Sequence, residues 1–172
     1  MSVISQEELR QALDGWASRL LAQAAQTDGR ELAIVGLISH GDVLARRLVQ
    51  KLEAAGYPAR YGAIDITLYR DDLRLTGKRP ALRSSYLPFS TDDMVLILVD
   101  DVINTGRTAR AALEAIFEYG RPARVELQCL VDRGGRELPI QPDYTVFTLN
   151  TASNADVAVH LQELDGTDDI RY

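Results

Sequence analysis

The chain predicts an α/β fold, a central and mostly parallel sheet flanked by helices, and three features predict it. The first is the unbroken apolar run Met94 to Val99, β-branched at alternate positions and bounded by Asp93 and Asp100. With no polar alternation, such a run reads as a strand buried on both faces, as parallel strands are. The second is the stretch after that run: two acids, a small-residue turn, and an Ala-rich helix closing at Tyr119-Gly120, with Gly120 suited to a C′ position and Pro122 enforcing the stop. The third is a repeat of that form upstream, from the apolar run Leu32 to Ile38 through Ser39-His40-Gly41-Asp42 into a helix over 43–55 that ends at Gly56-Tyr57-Pro58.

The remaining elements fall into place around these two units. Ser5-Gln6-Glu7-Glu8 is a capping box, and Leu9, Leu13, Trp16 and Leu20 recur at helical spacing, so 6–26 is an amphipathic helix with Trp16 in its packed face. Residues 59–68 read as the next strand. A long irregular segment over 69–91 comes after it, rich in Arg70, Arg74, Lys78, Arg79 and Arg83. Long loops in compact domains are usually functional or disordered, and this one reads as a flexible basic lid. Residues 125–131 form a buried strand, another runs from Tyr144 to about Leu149, and 156–164 alternates like a half-buried strand before a short acidic tail.

A length of 172 residues fits one domain with a sizeable core. The net charge of −6 argues against a generic nucleic-acid binder while leaving room for a local basic patch. No segment approaches the length of a membrane span, and the start lacks the basic and apolar regions of a secretory signal, so a cytoplasmic protein is expected. The lone Cys129 sits in a predicted strand and reads as core packing.

The chemistry is concentrated at Asp100 to Thr108. Ligands of open α/β sheets bind beyond the carboxyl ends of strands, and a helix N-terminus preceded by small residues attracts phosphate. Amides from Asn104 to Thr108, with the Thr105 and Thr108 hydroxyls, can wrap a phosphate monoester. Asp100 and Asp101 would repel phosphate, but they can accept hydrogen bonds from a sugar diol or hold Mg²⁺. A phosphorylated ribose satisfies both. An NTPase phosphate loop is excluded, because no Gly-x-x-x-x-Gly-Lys-Ser/Thr occurs. A phospho-acceptor receiver domain needs a lysine after its acids, and the two lysines here, Lys51 and Lys78, both precede them. A solvated strand end with a tidy helix cap is the remaining plain alternative.

The run from Met94 to Thr108 resembles the 5-phosphoribosyl-1-diphosphate (PRPP) signature of type I phosphoribosyltransferases. The stretches Ile64 to Leu73 and Val131-Asp132-Arg133-Gly134-Gly135-Arg136-Glu137-Leu138-Pro139-Ile140 resemble the pyrimidine-operon regulatory proteins that carry uracil phosphoribosyltransferase activity. That resemblance, from about Leu32 to the end, implies a single phosphoribosyltransferase domain over 1–172, with a lid at 69–91 and a small hood with C-terminal strands at 132–172. It implies that Asp100 and Asp101 hold the ribose hydroxyls of PRPP or UMP, and that Val102, Ile103, Asn104, Thr105, Gly106, Arg107 and Thr108 form the loop for the 5′-phosphate. Ser39, His40 and Gly41 would contact pyrophosphate, Arg133 and Val157 the base or nucleotide, and Arg70 and Arg83 would belong to the lid. Mg²⁺ is expected to enter with PRPP, with Asp100 and Asp101 as its candidate protein ligands.

The reaction implied is uracil plus PRPP giving UMP and pyrophosphate, joined to regulation of pyrimidine genes through a leader RNA, in a homodimer or larger homo-oligomer. His40 stands where relatives have arginine, Asn104 where uracil regulators tend to have Tyr, and Gly135 where they usually have His. Purine-using relatives often carry Asp at the Asn104 position, so Asn104 favours a pyrimidine. A nucleotide-sensing regulator without turnover and a purine phosphoribosyltransferase are the alternatives.

Overall fold

The computed structural model describes residues 2–71, 84–149 and 156–172. Its centre is a five-stranded sheet in the order β3-β2-β4-β5-β6, with every neighbouring pair parallel. The strands are β2 (Leu32–Leu37), β3 (Arg60–Ile64), β4 (Val95–Ile103), β5 (Arg124–Asp132) and β6 (Tyr144–Thr148). A smaller antiparallel sheet joins the chain ends: β1 (Val3–Ile4), β8 (Asp169–Arg171) and β7 (Ala158–His160), in that order. Helices α1 (Gln6–Ala24) and α2 (His40–Ala54) cover one face of the large sheet, and α3 (Arg107–Ile116) covers the other; α4 (Gln162–Asp165) is a single turn between β7 and β8.

The period of each segment explains its place. All six residues of β2 and the first six of β4 are buried, because helices cover both faces of these strands. Val95, Ile97 and Val99 pack with α1 and α2, whereas Leu96 and Leu98 pack with α3, as side-chain alternation along a strand requires. The Ser5–Glu8 capping box is formed at the start of α1. Trp16 is fully buried, and its indole Nε1–H donates to Gln128 Oε1 at 2.7 Å, so its polar handle is satisfied inside the core. Gln128→Leu would strand that N–H and is expected to lower stability by about 1–3 kcal/mol, read as a lower urea midpoint at unchanged m-value.

Several sequence boundaries move. Strand β3 stops at Ile64, short of the expected residue 68, because the Asp65 carboxylate accepts the Thr67 N–H at 2.9 Å and turns the chain into a 3₁₀ turn at Thr67–Tyr69. The expected strand over 156–164 is β7 for three residues and then α4, and the acidic tail is itself a strand, β8, paired with β7 and β1. Of the segment expected to be a lid, Tyr86 bridges Ala63 antiparallel at the sheet edge and Thr91 is buried. Arg74, Lys78, Arg79 and Arg83 lie outside the described residues. Cys129 is fully buried, as packing required. No described helix is long and apolar enough to cross a membrane.

Candidate functional site

The site gathers at the carboxyl ends of β2, β4 and β5. Strand β4 does not end at Val99; it runs through Asp100 and Asp101 to Ile103, because its ladder with β5 continues through Asp100↔Cys129, Val102↔Val131 and Ile103↔Asp132. Both acids therefore sit on rigid strand backbone. Asp100 is buried (7% exposed) and accepts the Asp101 N–H at 3.0 Å, while Asp101 is half-buried and accepts the Val102 N–H at 2.9 Å. Burial, then the neighbouring Asp101 charge, hold the Asp100 carboxyl well above the usual carboxylate range. A buried carboxyl in that state is poised for a ligand that brings hydroxyl donors or positive charge.

Next comes the turn Asn104-Thr105-Gly106. Gly106 has φ +90° and caps α3, a left-handed conformation that glycine adopts without strain. The first amides of α3 have no acceptor within the helix, and that helix begins at Arg107. Thr105 Oγ1 accepts the Arg107 N–H at 3.3 Å, and its carbonyl accepts the Glu137 and Leu138 N–H groups at 3.0 and 3.1 Å. The Arg107 guanidinium is engaged with Glu137 (2.8 Å) and Asp71 (2.5 Å). Arg107 thus offers the turn its backbone amide, while its side chain ties 69–71 to the segment after β5. Arg70 lies in that tied piece: the Arg110 guanidinium donates to the Tyr69 carbonyl, and the Tyr69 hydroxyl donates to Glu118 at 2.6 Å.

The second turn is Ser39-His40-Gly41. The sequence pattern starts its helix at residue 43, but α2 already begins at His40, so His40 and Gly41 form its first turn. The Ile38–Ser39 peptide is cis. Two glycines let this helix start touch the sheet. A Cβ on Gly41 would stand 2.4 Å from the Val99 carbonyl oxygen and 3.2 Å from Asp100 Cα, and one on Gly36 would stand 2.4 Å from Asp42 Cα. Backbone contact of that closeness brings the second turn directly beside the acidic pair. The His40 ring contacts Asp165 of α4 through Nε2 at 3.0 Å.

A third piece, residues 132–141, roofs the first turn. Arg136 grips Asp132 with two bonds (2.9 and 2.6 Å) and donates to the carbonyls of Asn104 and Ile140, both at 3.0 Å. Burial acts to raise the Asp132 carboxyl, but Arg136 and the Gly134 N–H outweigh it and hold the group below its usual range. Arg133 is half-buried and donates its N–H to the Ile103 carbonyl at 3.2 Å. A Cβ on Gly135 would lie 2.5 Å from Asn104 Oδ1, so Gly135 and Asn104 face each other. Val157 is half-buried against the α1/α2 core. Sequence reasoning misses Asp132, Arg136 and Asp165 as site residues. The first two stand in the 131–140 motif at a spacing of four, whereas Asp165 carries no sequence signal.

Among the described residues no cluster of three His, Cys, Asp or Glu side chains could hold a metal ion. Asp100 and Asp101, adjacent on β4, offer two carboxylates, which would suit an ion that arrives with most of its ligands on a substrate.

Residues 5–164 match the family model described as phosphoribosyl transferase domain. The chain is 62% identical over 146 residues to the bifunctional protein PyrR of Akkermansia muciniphila, 85% of this chain and 82% of the relative. It is 46% identical over 168 residues to the bifunctional protein PyrR of Deinococcus radiodurans, 97% and 91% of the two chains. Among solved structures, a hypoxanthine phosphoribosyltransferase from Trypanosoma cruzi in a ternary substrates complex superposes with a TM-score of 0.74 at 22% identity, over 96% of this chain and 90% of that one. That likeness shows the fold alone. Strands, turns and sequence together place the chain in the type I phosphoribosyltransferase family, among the bifunctional PyrR proteins.

Proposed function

We propose that this chain transfers the phosphoribosyl group of PRPP to uracil, giving UMP and pyrophosphate, and that it also regulates pyrimidine genes through a leader RNA. The observation that carries the transferase reading is the juxtaposition of the Asp100/Asp101 pair with two amide-lined turns, held together by Gly41 against β4. The α3 turn, with its amides and the Thr105 and Thr108 hydroxyls, takes the 5′-phosphate. Asp100 and Asp101 accept the ribose hydroxyls, which replace the solvation that burial removes from Asp100. Ser39, His40 and Gly41 take the pyrophosphate. Arg133, the 132–141 segment and the Val157 backbone bound the base.

A uracil ring nitrogen then displaces pyrophosphate at the anomeric carbon through a sugar-cation-like transition state, as at other glycosidic centres. The fixed carboxylates favour the positive charge that develops on the ribose ring. Mg²⁺ bound to PRPP, with Asp100 and Asp101 as the protein oxygens within its reach, would neutralise charge on the departing diphosphate. Arg70 and Arg83, in a lid over 69–91, would shield that charge from water. Asn104 cannot take a proton, which favours a pyrimidine over a purine. The domain is single over 1–172, with 132–172 as hood, and it works in the cytoplasm as a homodimer or larger assembly. The exposed Leu68, beside Tyr69, supports a contact there.

The test offers uracil, hypoxanthine, guanine and xanthine in parallel with PRPP and Mg²⁺. UMP from uracil alone is expected. Turnover of a purine would overturn the base assignment, and no turnover with UMP still bound would leave a nucleotide sensor. The regulatory half is read separately, as binding to a pyrimidine leader transcript whose affinity falls with salt.

A further inference from the structure

Two helices of this chain open on one pattern, a serine followed three residues later by an acid: Ser5-Gln6-Glu7-Glu8 at α1 and Ser39-His40-Gly41-Asp42 at α2. In a capping box the acid reaches back and occupies a free amide at the helix start. At α1 it does so. Glu8 Oε2 accepts the Ser5 N–H at 2.8 Å, and Ser5 has extended backbone angles, φ −73° and ψ 164°. At α2 the serine has helical angles instead, φ −107° and ψ −50°, and makes no side-chain cap bond. The amides that open α2 are the ones assigned above to pyrophosphate.

The Asp42 carboxylate is held from the side. Tyr61 of β3 donates its hydroxyl to Oδ1. Arg46, one turn further along α2, donates Nε to Oδ1 at 3.2 Å and Nη2 to Oδ2 at 3.4 Å. The two donors also support each other: the Arg46 guanidinium carbon lies 4.8 Å from the centre of the Tyr61 ring. Tyr86 packs on the same ring, with centroids 5.9 Å apart. Burial, and then the bond to Asp42, push the Tyr61 phenol up, so it stays a donor.

A carboxylate in the first turn of a helix is drawn to that helix's own N-terminal amides. There it would exclude a second anion. Asp42 also adjoins Gly41 in the chain, so an unpaired charge on it would act on the turn well inside the salt screening length of about 8 Å. We infer that Tyr61 and Arg46 are positioning residues for pyrophosphate: they hold the Asp42 carboxylate off the open amides of α2 and neutralise it, leaving the turn to the diphosphate. Tyr61 supplies the direction and Arg46 the compensating charge.

The inference rests on the pyrophosphate reading of this turn, and its test separates the two. Tyr61→Phe removes one hydrogen bond and no charge. It should raise KM for PRPP by about fivefold, with kcat and KM for uracil changed far less. Binding of inorganic pyrophosphate with Mg²⁺, read by titration calorimetry, should weaken by a similar factor. Arg46→Met should weaken it too. Asp42→Ala should bind pyrophosphate at least as well as the wild type, and it should cancel the loss in both the Tyr61→Phe and the Arg46→Met backgrounds. A general loss of packing at β3 would not be rescued by removing that carboxylate. Tyr61→Phe with unchanged KM for PRPP, a loss that Asp42→Ala does not cancel, or weaker binding in Asp42→Ala alone overturns the inference while the transferase reading stands. A wild type that neither forms UMP nor binds pyrophosphate overturns both.

Discussion

Asp100→Asn should abolish most UMP formation, by about a hundredfold or more, and yet leave a protein that melts no lower than the wild type. The activity falls because the amide carries no charge to set against the developing sugar cation and accepts a ribose hydroxyl more weakly. The stability rises or holds because Asp100 is 7% exposed and lies against the Asp101 charge. Its folded pKa lies above the unfolded value, so the native state binds more protons over the interval between the two. Ionisation of Asp100 therefore costs stability as pH rises through that interval, and the cost is in force at neutral pH. Asparagine removes it while its Oδ1 keeps the Asp101 N–H bond seen at 3.0 Å. Melting curves against pH should show the wild-type decline above the ordinary carboxylate range flattened in the variant. A variant that melts lower than the wild type at neutral pH would mean that Asp100 is not strained by its burial.

Gly41→Ala should lower stability by about 2–4 kcal/mol and cut turnover with it. The new methyl would meet the Val99 carbonyl oxygen at 2.4 Å, and neither partner is a flexible side chain that can step aside. Helix α2 must lift from β4, which separates His40 and the second turn from Asp100. Ala at Gly134 is the control, since a Cβ there meets nothing within 4 Å, although its φ of +72° carries the usual strain of a left-handed residue. Urea denaturation and KM for PRPP measured on the pair separate contact from backbone strain. Equal losses in the two variants would remove close approach as the reason for Gly41.

Both arguments depend on elements with unequal visibility in the chain. The β4 run, the capping box at Ser5, the acidic pair and the Gly106 turn are legible because each is set by a few adjacent residues whose periodicity, cap or φ has one satisfactory solution. Boundaries are less legible. Nothing local says that β4 continues through two aspartates; the ladder to β5 supplies that, with Asp100 opposite Cys129 and Ile103 opposite Asp132. The alternation over 156–164 is a genuine strand pattern that the Leu161–Asp165 backbone turn interrupts. Strand β1, two residues long, has no pattern of its own and exists because β8 comes beside it.

Short-range sterics and the recurrence of apolar residues suffice for the fold class, the phosphate turn at Asn104–Thr108 and the acids beside it, and all of these can be read from the chain of letters. How close the two turns stand, which side chain holds His40, and the meeting of Asn104 with Gly135 come from tertiary packing instead. Those outcomes depend on contacts between residues far apart in the chain: 125 positions separate His40 from Asp165, and Gly41 meets Val99 across from another βα unit. No local preference encodes such pairings. They form because burying both faces of one sheet leaves its strand ends, and the helices that start there, a single way to pack.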